Sequence, residues 1–171
     1  MQQKRGDLAD DFLDCIVCLN AHDVAFVLVG GYAMAWHGVV RATGDIDFLY
    51  EPTSENVERL CAALREFGAP PSLIDPAFLM LPNAVMQIGI PPLRIDFLAA
   101  ISGPSFEEVL AGADTVDLSG HQLLVIGINE LRSNKQATGR TKDKEDVRRL
   151  DATRKSTDKG RRRSRRDSEQ K

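Results

Sequence analysis

Hydrophobic residues recur along the chain with two different periods, and the period predicts which segments are helices and which are strands. Residues 7–21 carry apolar side chains at helical spacing and predict an amphipathic helix. Residues 24–29, VAFVLV, form a continuous apolar run that ends at a glycine pair, as a buried strand does. Further strands are predicted at 45–50, 85–90, 94–99, 115–118 and 122–126, and further helices at 32–37, from 52–54 to Gly68, at 106–111, at 129–135 and at 142–150. This mixture predicts an α/β or α+β domain with a central sheet.

Charge is distributed unevenly along the 171 residues, although the net charge is only −3. Residues 152–171 hold nine Lys or Arg and three Asp or Glu, whereas residues 1–151 hold thirteen basic and twenty-two acidic residues. An acidic body argues against a body surface built for phosphate backbones. The last segment has hardly any apolar residues. We therefore predict one domain over 1–151 and a basic, disordered tail over 152–171.

Several classes of protein are disfavoured by what the sequence contains. No apolar run follows the first charged residues, so a secretory signal is not expected, and no segment is long and apolar enough to span a bilayer. Three cysteines suit a reducing compartment, which predicts a cytoplasmic protein. Cys15 and Cys18 have C-x-x-C spacing but lie inside a predicted helix, so we interpret them as core residues rather than as a redox or zinc site.

Two carboxylates lie in DIDFLY, a segment that otherwise has the pattern of a buried strand. Residues i and i+2 of a strand share a face, so Asp45 and Asp47 point one way while Ile46 and Phe48 point the other. Two ionised carboxylates on one face repel each other unless a proton or a cation intervenes. Mg²⁺ suits such a pair, because it prefers hard oxygen ligands and often binds one or two carboxylates together with substrate phosphates.

A third acid, Asp96, lies between Ile95 and Phe97 in a second apolar run, LRIDFLAA. If this strand lies beside DIDFLY, the three acids converge on one cluster. Such a cluster can hold two metal ions, activate a hydroxyl nucleophile and neutralise charge on a transferring phosphoryl group. The alternative is that the acids sit at strand ends and face solvent, but three acids in two apolar runs favour the cluster.

The glycine pair Gly30-Gly31 follows a predicted strand and opens a predicted helix. Its backbone N–H groups are therefore candidates for close contact with phosphate oxygens. The alternative is an ordinary tight turn. Neither the G-x-G-x-x-G pattern of dinucleotide-binding folds nor the G-x-x-x-x-G-K-[ST] phosphate loop is present.

Together these motifs resemble the polymerase-β-type nucleotidyltransferase superfamily. The matching segments are Gly30-Gly31, Arg41-x-Thr43-x-Asp45-Ile46-Asp47, Arg94-Ile95-Asp96-Phe97, Lys135-Gln136-Ala137 and Arg140-x-Lys142-Asp143-x-x-Asp146. The last two are similar to the closing segment of small bacterial members, including toxin-like nucleotidyltransferases of the abortive-infection type. Many members have Ser after the first glycine, and Gly31 at that position leaves only backbone donors.

The resemblance implies an α+β fold with a central mixed β-sheet flanked by helices. It also implies transfer of a nucleoside monophosphate from an NTP such as ATP to a hydroxyl acceptor. Asp45 and Asp47 would hold the Mg²⁺ or Mn²⁺ ions that bind the triphosphate, and Asp96 would help to position the second metal and the attacking group. Gly30 and Gly31 would cradle phosphate.

Two cations are candidates for the counter-charge that a triphosphate needs on an acidic body. Arg41 lies four residues before Asp45, and Lys135 would act as a point charge on phosphate oxygens from a later helix. The alternative for each is a solvated surface charge. A salt-bridged helix face is expected from four later residues: Arg140, Lys142, Asp143 and Asp146.

The sequence leaves the acceptor open among a tRNA end or other RNA, a protein hydroxyl and a small molecule such as an aminoglycoside. The resemblance and the basic tail favour a macromolecular acceptor and a toxin-like role, with an antitoxin protein as a possible partner. The tail either tethers RNA through its phosphates or is a solubilising end. The non-enzymatic alternative is an inactive nucleotide- or RNA-binding module, but a mere binder gains nothing from clustered carboxylates.

Overall fold

The structure, a computed structural model, describes residues 9–40 and 42–168, with side chains described as far as Arg154. The helices in these ranges are α1 (Asp10–Ala21), α2 (Gly30–Trp36), α3 (Ser54–Phe67), α4 (Pro76–Leu79), α5 (Phe106–Gly112), α6 (Ile128–Thr138) and α7 (Thr141–Ser168), with a short 3-10 helix at Pro71–Leu73. The strands are β1 (Phe26–Val29), β2 (Asp45–Tyr50), β3 (Val85–Ile88), β4 (Arg94–Leu98), β5 (Asp114–Leu118) and β6 (His121–Val125).

The six strands form one mixed sheet in the order β3-β4-β2-β1-β6-β5. β2 runs parallel to β4 and β1 parallel to β6, while the other neighbours are antiparallel. Among the helices, α1 packs against α3, α2 packs against β1 and β2, and α6 packs against α7. The α+β class with a mixed sheet flanked by helices is therefore confirmed.

The alternation in β2 and β4 separates an apolar face from a charged one, as the sequence predicts. Ile46, Phe48 and Phe97 are fully buried, and Ile95 is 3% exposed. The rings of Phe48 and Phe97 pack with their centroids 5.7 Å apart. Burying these side chains fixes the register of the two strands, because a slip of one residue would turn the carboxylates into the core.

Helix α3 is fixed at its N-terminal end by side-chain hydrogen bonds. Thr53 accepts the N–H of Asn56 as an N-cap, and Gly68 ends the helix in the left-handed conformation with φ of 87°. Asn56 is only 3% exposed. Its Oδ1 accepts the N–H of Ala25 at 2.7 Å, and its Nδ2 donates to the carbonyls of Ala25 at 3.0 Å and Glu51 at 2.9 Å. One side chain thus joins α3 to the segments that precede β1 and follow β2.

We expect Asn56→Ala to lower the free energy of unfolding by about 2–4 kcal/mol, because it removes three part-buried hydrogen bonds made by one side chain. Urea denaturation monitored by circular dichroism measures this change. Asn134→Ala is the matched control, since Asn134 makes one exposed hydrogen bond, to the carbonyl of Ser102 at 2.9 Å. The control should cost less than about 1 kcal/mol. Equal losses in the two variants would contradict the bridging role of Asn56.

The C-terminal helix differs from the sequence-based expectation. A disordered tail was expected from residue 152, but the backbone of α7 is helical as far as Ser168. Leu150 is fully buried and Arg132 on α6 binds Asp151, with 2.7 Å between Nε and Oδ1. The helix is therefore anchored where the tail begins, and Lys and Arg are good helix formers. The division into a domain over 1–151 and a tail over 152–171 stays a prediction.

Two smaller expectations concern cysteines and membranes. Cys15 is buried and Cys18 is partly buried in α1, and neither is in a disulfide, which agrees with a packing role. Among the helices of the described residues, none has the length and apolar character required to cross a bilayer.

Candidate functional site: three acids on adjacent parallel strands

The three predicted acids lie on one face of the sheet. β2 and β4 are parallel neighbours, in which Asp47 pairs with Asp96 and Asp45 pairs with Arg94. Because facing residues of neighbouring strands point the same way, Asp47 and Asp96 project side by side, with Asp45 two residues earlier on the same face. The structure therefore brings the three acids together, as the sequence predicts. Asp96 is 6% exposed, whereas Asp45 and Asp47 are partly exposed.

Arg94 lies between two of these carboxylates. Its Nη2 is 2.9 Å from Asp45 Oδ2, its Nε is 2.7 Å from Asp96 Oδ1, and its Nη2 donates to Asp96 Oδ2 at 3.0 Å. Gln87 on β3 also donates to Asp96 Oδ2, at 3.2 Å. Sequence reasoning quoted Arg94 as part of a motif but gave it no role. Its position two residues before Asp96 was the available signal, since it places both side chains on one face.

Within the part of the chain that the structure describes, Asp47 makes no ion pair of this kind, and its pKa is raised. Burial, together with the charges of Asp96 and Asp45, raises the pKa of Asp47 from 3.8 to about 6. A hydrogen bond from the Gly31 N–H and the charge of Lys135 act in the opposite direction. A further cation, bound close to the Asp47 carboxylate, would relieve its repulsion by Asp96 and Asp45.

This shift makes protein stability depend on pH with a defined sign. A raised folded-state pKa favours the folded state below pH 3.8, and this advantage is lost as pH rises through about 6. We therefore expect Asp47→Asn to raise the free energy of unfolding at pH 7.5 in EDTA by about 1–3 kcal/mol, with little change at pH 4. Urea titrations at both pH values measure it, with the exposed Glu58→Gln as control. A variant that is less stable at pH 7.5 would contradict the repulsion.

The glycine turn lies directly against Asp47. Gly30 has φ of 68°, and a Cβ at this position would collide with the Asp47 carboxylate. A Cβ on Gly31 would come within 2.8 Å of Thr43 Oγ1, and that hydroxyl donates to the carbonyl of Asp45. Glycine is thus required at residue 30 both for its backbone conformation and for the close approach of the turn to Asp47.

Lys135 lies in a buried network of ion pairs and is not a solvated surface charge. It is 9% exposed, and its Nζ is 3.1 Å from Asp143 Oδ1 and 3.8 Å from Asp146 Oδ2. Thr138 donates to Asp143 Oδ2 at 2.5 Å. Burial alone would raise the pKa of Asp143, but the hydrogen bonds from Thr138 and Lys135 outweigh it and lower that pKa. Since Lys135 also lowers the pKa of Asp47, its charge acts on the acid cluster.

This network corrects the expected salt-bridged helix face. Asp143 and Asp146 are 5% and 3% exposed, while Arg140 and Lys142 are exposed. The two acids face α6 because Lys135 needs counter-charge once it is buried. The spacing of three residues between them, which places both on one side of α7, was the signal that could have found the pair. The remaining predicted residue, Arg41, lies outside the described residues.

The donor set of the cluster fits a divalent metal such as Mg²⁺ or Mn²⁺. It offers carboxylate oxygens, which hard cations prefer, and burial together with the neighbouring acids raises the pKa of Asp47, a cost that a bound cation would offset. Among the described residues, no three His, Cys, Asp or Glu side chains form a ready metal-binding group. Here Arg94 already occupies oxygens of two of the acids. The residues therefore fit a metal once the guanidinium releases those oxygens.

A separate cavity of about 700 Å³ lies between α5 and α6. Its lining includes Gly103, Glu108, Asn129 and Glu130 but none of the three acids. Glu108 is already engaged, because its carboxylate accepts the N–H of Ser105 in a capping box. The acid cluster, with its unbalanced charge, is therefore the better candidate for chemistry.

A mixed sheet that carries three acids beside a glycine turn defines the nucleotidyltransferase class. The chain matches, over residues 11–111, the family model described as "Nucleotidyl transferase AbiEii toxin, Type IV TA system". It therefore belongs to this family of toxin-type nucleotidyltransferases, which confirms the resemblance to the polymerase-β-type superfamily.

Solved structures agree with the fold. The Thermotoga maritima protein TM1012, named as a candidate nucleotidyltransferase, is 14% identical, with a TM-score of 0.59 over 86% of this chain and 97% of that chain. The antibiotic-resistance factor ANT(2'')-Ia is 12% identical, with a TM-score of 0.54 over 94% of this chain and 96% of that chain. The comparison with curated proteins found no significant match.

Proposed function

We propose that the protein is a divalent-metal-dependent enzyme that transfers a nucleoside monophosphate from an NTP to a hydroxyl acceptor. In this reaction the acceptor oxygen bonds to the α-phosphorus, the bond from the α-phosphorus to the bridging oxygen breaks, and pyrophosphate leaves. The acceptor hydroxyl loses its proton to solvent. The observation that carries the proposal is the pairing of Asp47 with Asp96 on adjacent parallel strands, with Asp45 on the same face.

Each residue of the cluster has a place in this proposal. Asp45 and Asp47 hold Mg²⁺ or Mn²⁺, which supplies positive charge to the triphosphate and to the oxygens of the transferring phosphoryl group. Asp96, beside Asp47, positions the attacking hydroxyl and the second metal. The support for these roles is the shared face of the three acids and the raised pKa of Asp47, which comes from burial and from repulsion by the other two acids.

The phosphates are contacted by backbone and by cations. Gly30 and Gly31 place the backbone against Asp47, so a phosphate bound by metals at this carboxylate lies next to their N–H groups. Lys135 provides a fixed positive charge, because its two buried acids hold it beside the cluster. Arg41 is proposed as a further phosphate ligand from its position in the sequence.

The proposed acceptor is an RNA, such as a tRNA end, in a cytoplasmic toxin-like role that an antitoxin protein counteracts. Membership of a toxin family supports the role and the antitoxin, and the basic segment 152–171 supports an RNA acceptor. Nine basic residues there suit the phosphates of a nucleic acid, which the acidic body does not.

Transfer of label from NTP tests the function and separates its alternatives. The protein is incubated with each of the four α-labelled NTPs, Mg²⁺ or Mn²⁺, and total RNA, a protein extract or an aminoglycoside. We expect label in RNA. Label in the aminoglycoside or in protein would contradict RNA as the acceptor and identify the labelled molecule instead. Nucleotide binding without any transfer would identify an inactive binding module.

A further inference from the structure

Arg94 is the first residue of β4 and contacts acids on two strands. It pairs in register with Asp45 on β2, and its guanidinium reaches both Asp45 and Asp96. The geometry with Asp96 is bidentate, with Nε on one oxygen at 2.7 Å and Nη2 on the other at 3.0 Å. Such paired contacts are the strongest form of the arginine–carboxylate interaction.

The contacts occupy oxygens of Asp96 and Asp45 that a metal would use. An ionised carboxylate accepts about four hydrogen bonds, and Asp96 already accepts three, two from Arg94 and one from Gln87. Asp45 Oδ2 is taken by the same Nη2 at 2.9 Å. A divalent ion that binds through these oxygens has to displace the guanidinium.

The guanidinium cannot leave by losing its proton, because arginine stays charged in proteins. It can leave only by rotating away, and its side chain is 27% exposed, so it already reaches solvent. A single positive charge also balances three acids less well than a divalent ion does. The arrangement therefore holds the acids together while leaving a net attraction for a stronger cation.

We propose that Arg94 is a built-in counter-cation that competes with the divalent metal for Asp45 and Asp96. The proposal rests on the proposed function, since it assumes that the cluster binds a metal. Arg94 acts through the two acids and is a positioning residue. It keeps their carboxylates aligned in the metal-free protein, and metal binding breaks its ion pairs.

Binding of Mn²⁺, measured by electron paramagnetic resonance on the full chain, tests the competition. We expect Arg94→Gln to lower the dissociation constant of Mn²⁺ about tenfold, because the competing cation is gone. Arg94→Lys keeps the charge but loses the bidentate guanidinium contact, so we expect it to lower the dissociation constant of Mn²⁺ about threefold. Circular dichroism confirms that each variant is folded.

Arg132→Gln is the matched control, because Arg132 makes the same kind of ion pair with Asp151, at 2.7 Å from Nε to Oδ1 and 3.3 Å from Nη2 to Oδ2. Its Mn²⁺ affinity should equal that of the unmodified protein. A constant that is unchanged or higher in Arg94→Gln would overturn the competition. A gain in Arg94→Gln with none in Arg94→Lys would support the competition and assign it to the positive charge, which Lys retains.

The outcome also separates this inference from the proposed function. If Asp47→Asn abolishes Mn²⁺ binding but the Arg94 variants bind Mn²⁺ as the unmodified protein does, the competition is overturned. The metal site itself is then still supported. Absence of Mn²⁺ binding in every form, or binding that survives Asp47→Asn, contradicts the metal site itself and the competition with it.

Discussion

Replacing Asp47 by Asn is expected to lower kcat for nucleotidyl transfer about 1,000-fold or more, because one of the carboxylates that hold the metal is lost. Single-turnover transfer of α-labelled nucleotide at saturating Mg²⁺ measures the change. The variant should remain folded, since removing a repelled carboxylate stabilises the protein at neutral pH.

Loss of transfer in Asp47→Asn is therefore a chemical effect and not unfolding. Glu58→Gln, an exposed carboxylate replaced on α3, should keep the full rate. Transfer by Asp47→Asn within about tenfold of the unmodified protein would show that this carboxylate does not hold the metal.

The second large effect is expected at the glycine turn. Gly30→Ala should lower kcat/KM about 100-fold, because the added Cβ collides with the Asp47 carboxylate and displaces it from its position beside Asp96. The positive φ of 68° adds backbone strain of about 1–2 kcal/mol. Transfer assays together with urea denaturation separate the two contributions.

Gly68 supplies a control with the same backbone strain and no collision. Its φ is 87°, and nothing lies within 4 Å of the Cβ that alanine would add. Gly68→Ala should therefore lose a similar amount of stability and retain the full rate of transfer. If Gly30→Ala loses stability but transfers nucleotide as fast as Gly68→Ala, the close contact with Asp47 has no part in the reaction.

The strands that carry the acids were predictable because their signal is local. The alternation of Asp45, Ile46, Asp47 and Phe48 fixes which side chains share a face, and burial of Ile46 and Phe48 makes that choice unambiguous. The sequence pattern alone does not establish that β2 and β4 are neighbours, and their adjacency was an assumption. The register that pairs Asp47 with Asp96 depends on strands far apart in sequence, and no local pattern specifies it.

The parts that sequence reasoning missed depend on contacts between distant segments. Asp143 and Asp146 belong to a strongly polar helix that looks solvent-exposed, and only the packing of α7 on α6 buries them against Lys135. The double ion pair of Arg94 likewise needs the β2–β4 register, which the motif does not contain. The nucleotidyltransferase class was accessible because acids in apolar runs are costly to bury, and that pattern shows in a single sequence.

The most direct test of the account is a crystal structure of the protein with Mn²⁺ and a non-hydrolysable NTP analogue. We expect an anomalous peak for Mn²⁺ about 2 Å from oxygens of both Asp45 and Asp47, with the triphosphate against the backbone of Gly30 and Gly31. A peak elsewhere, with the three carboxylates unchanged and the triphosphate bound away from the glycine turn, would contradict it.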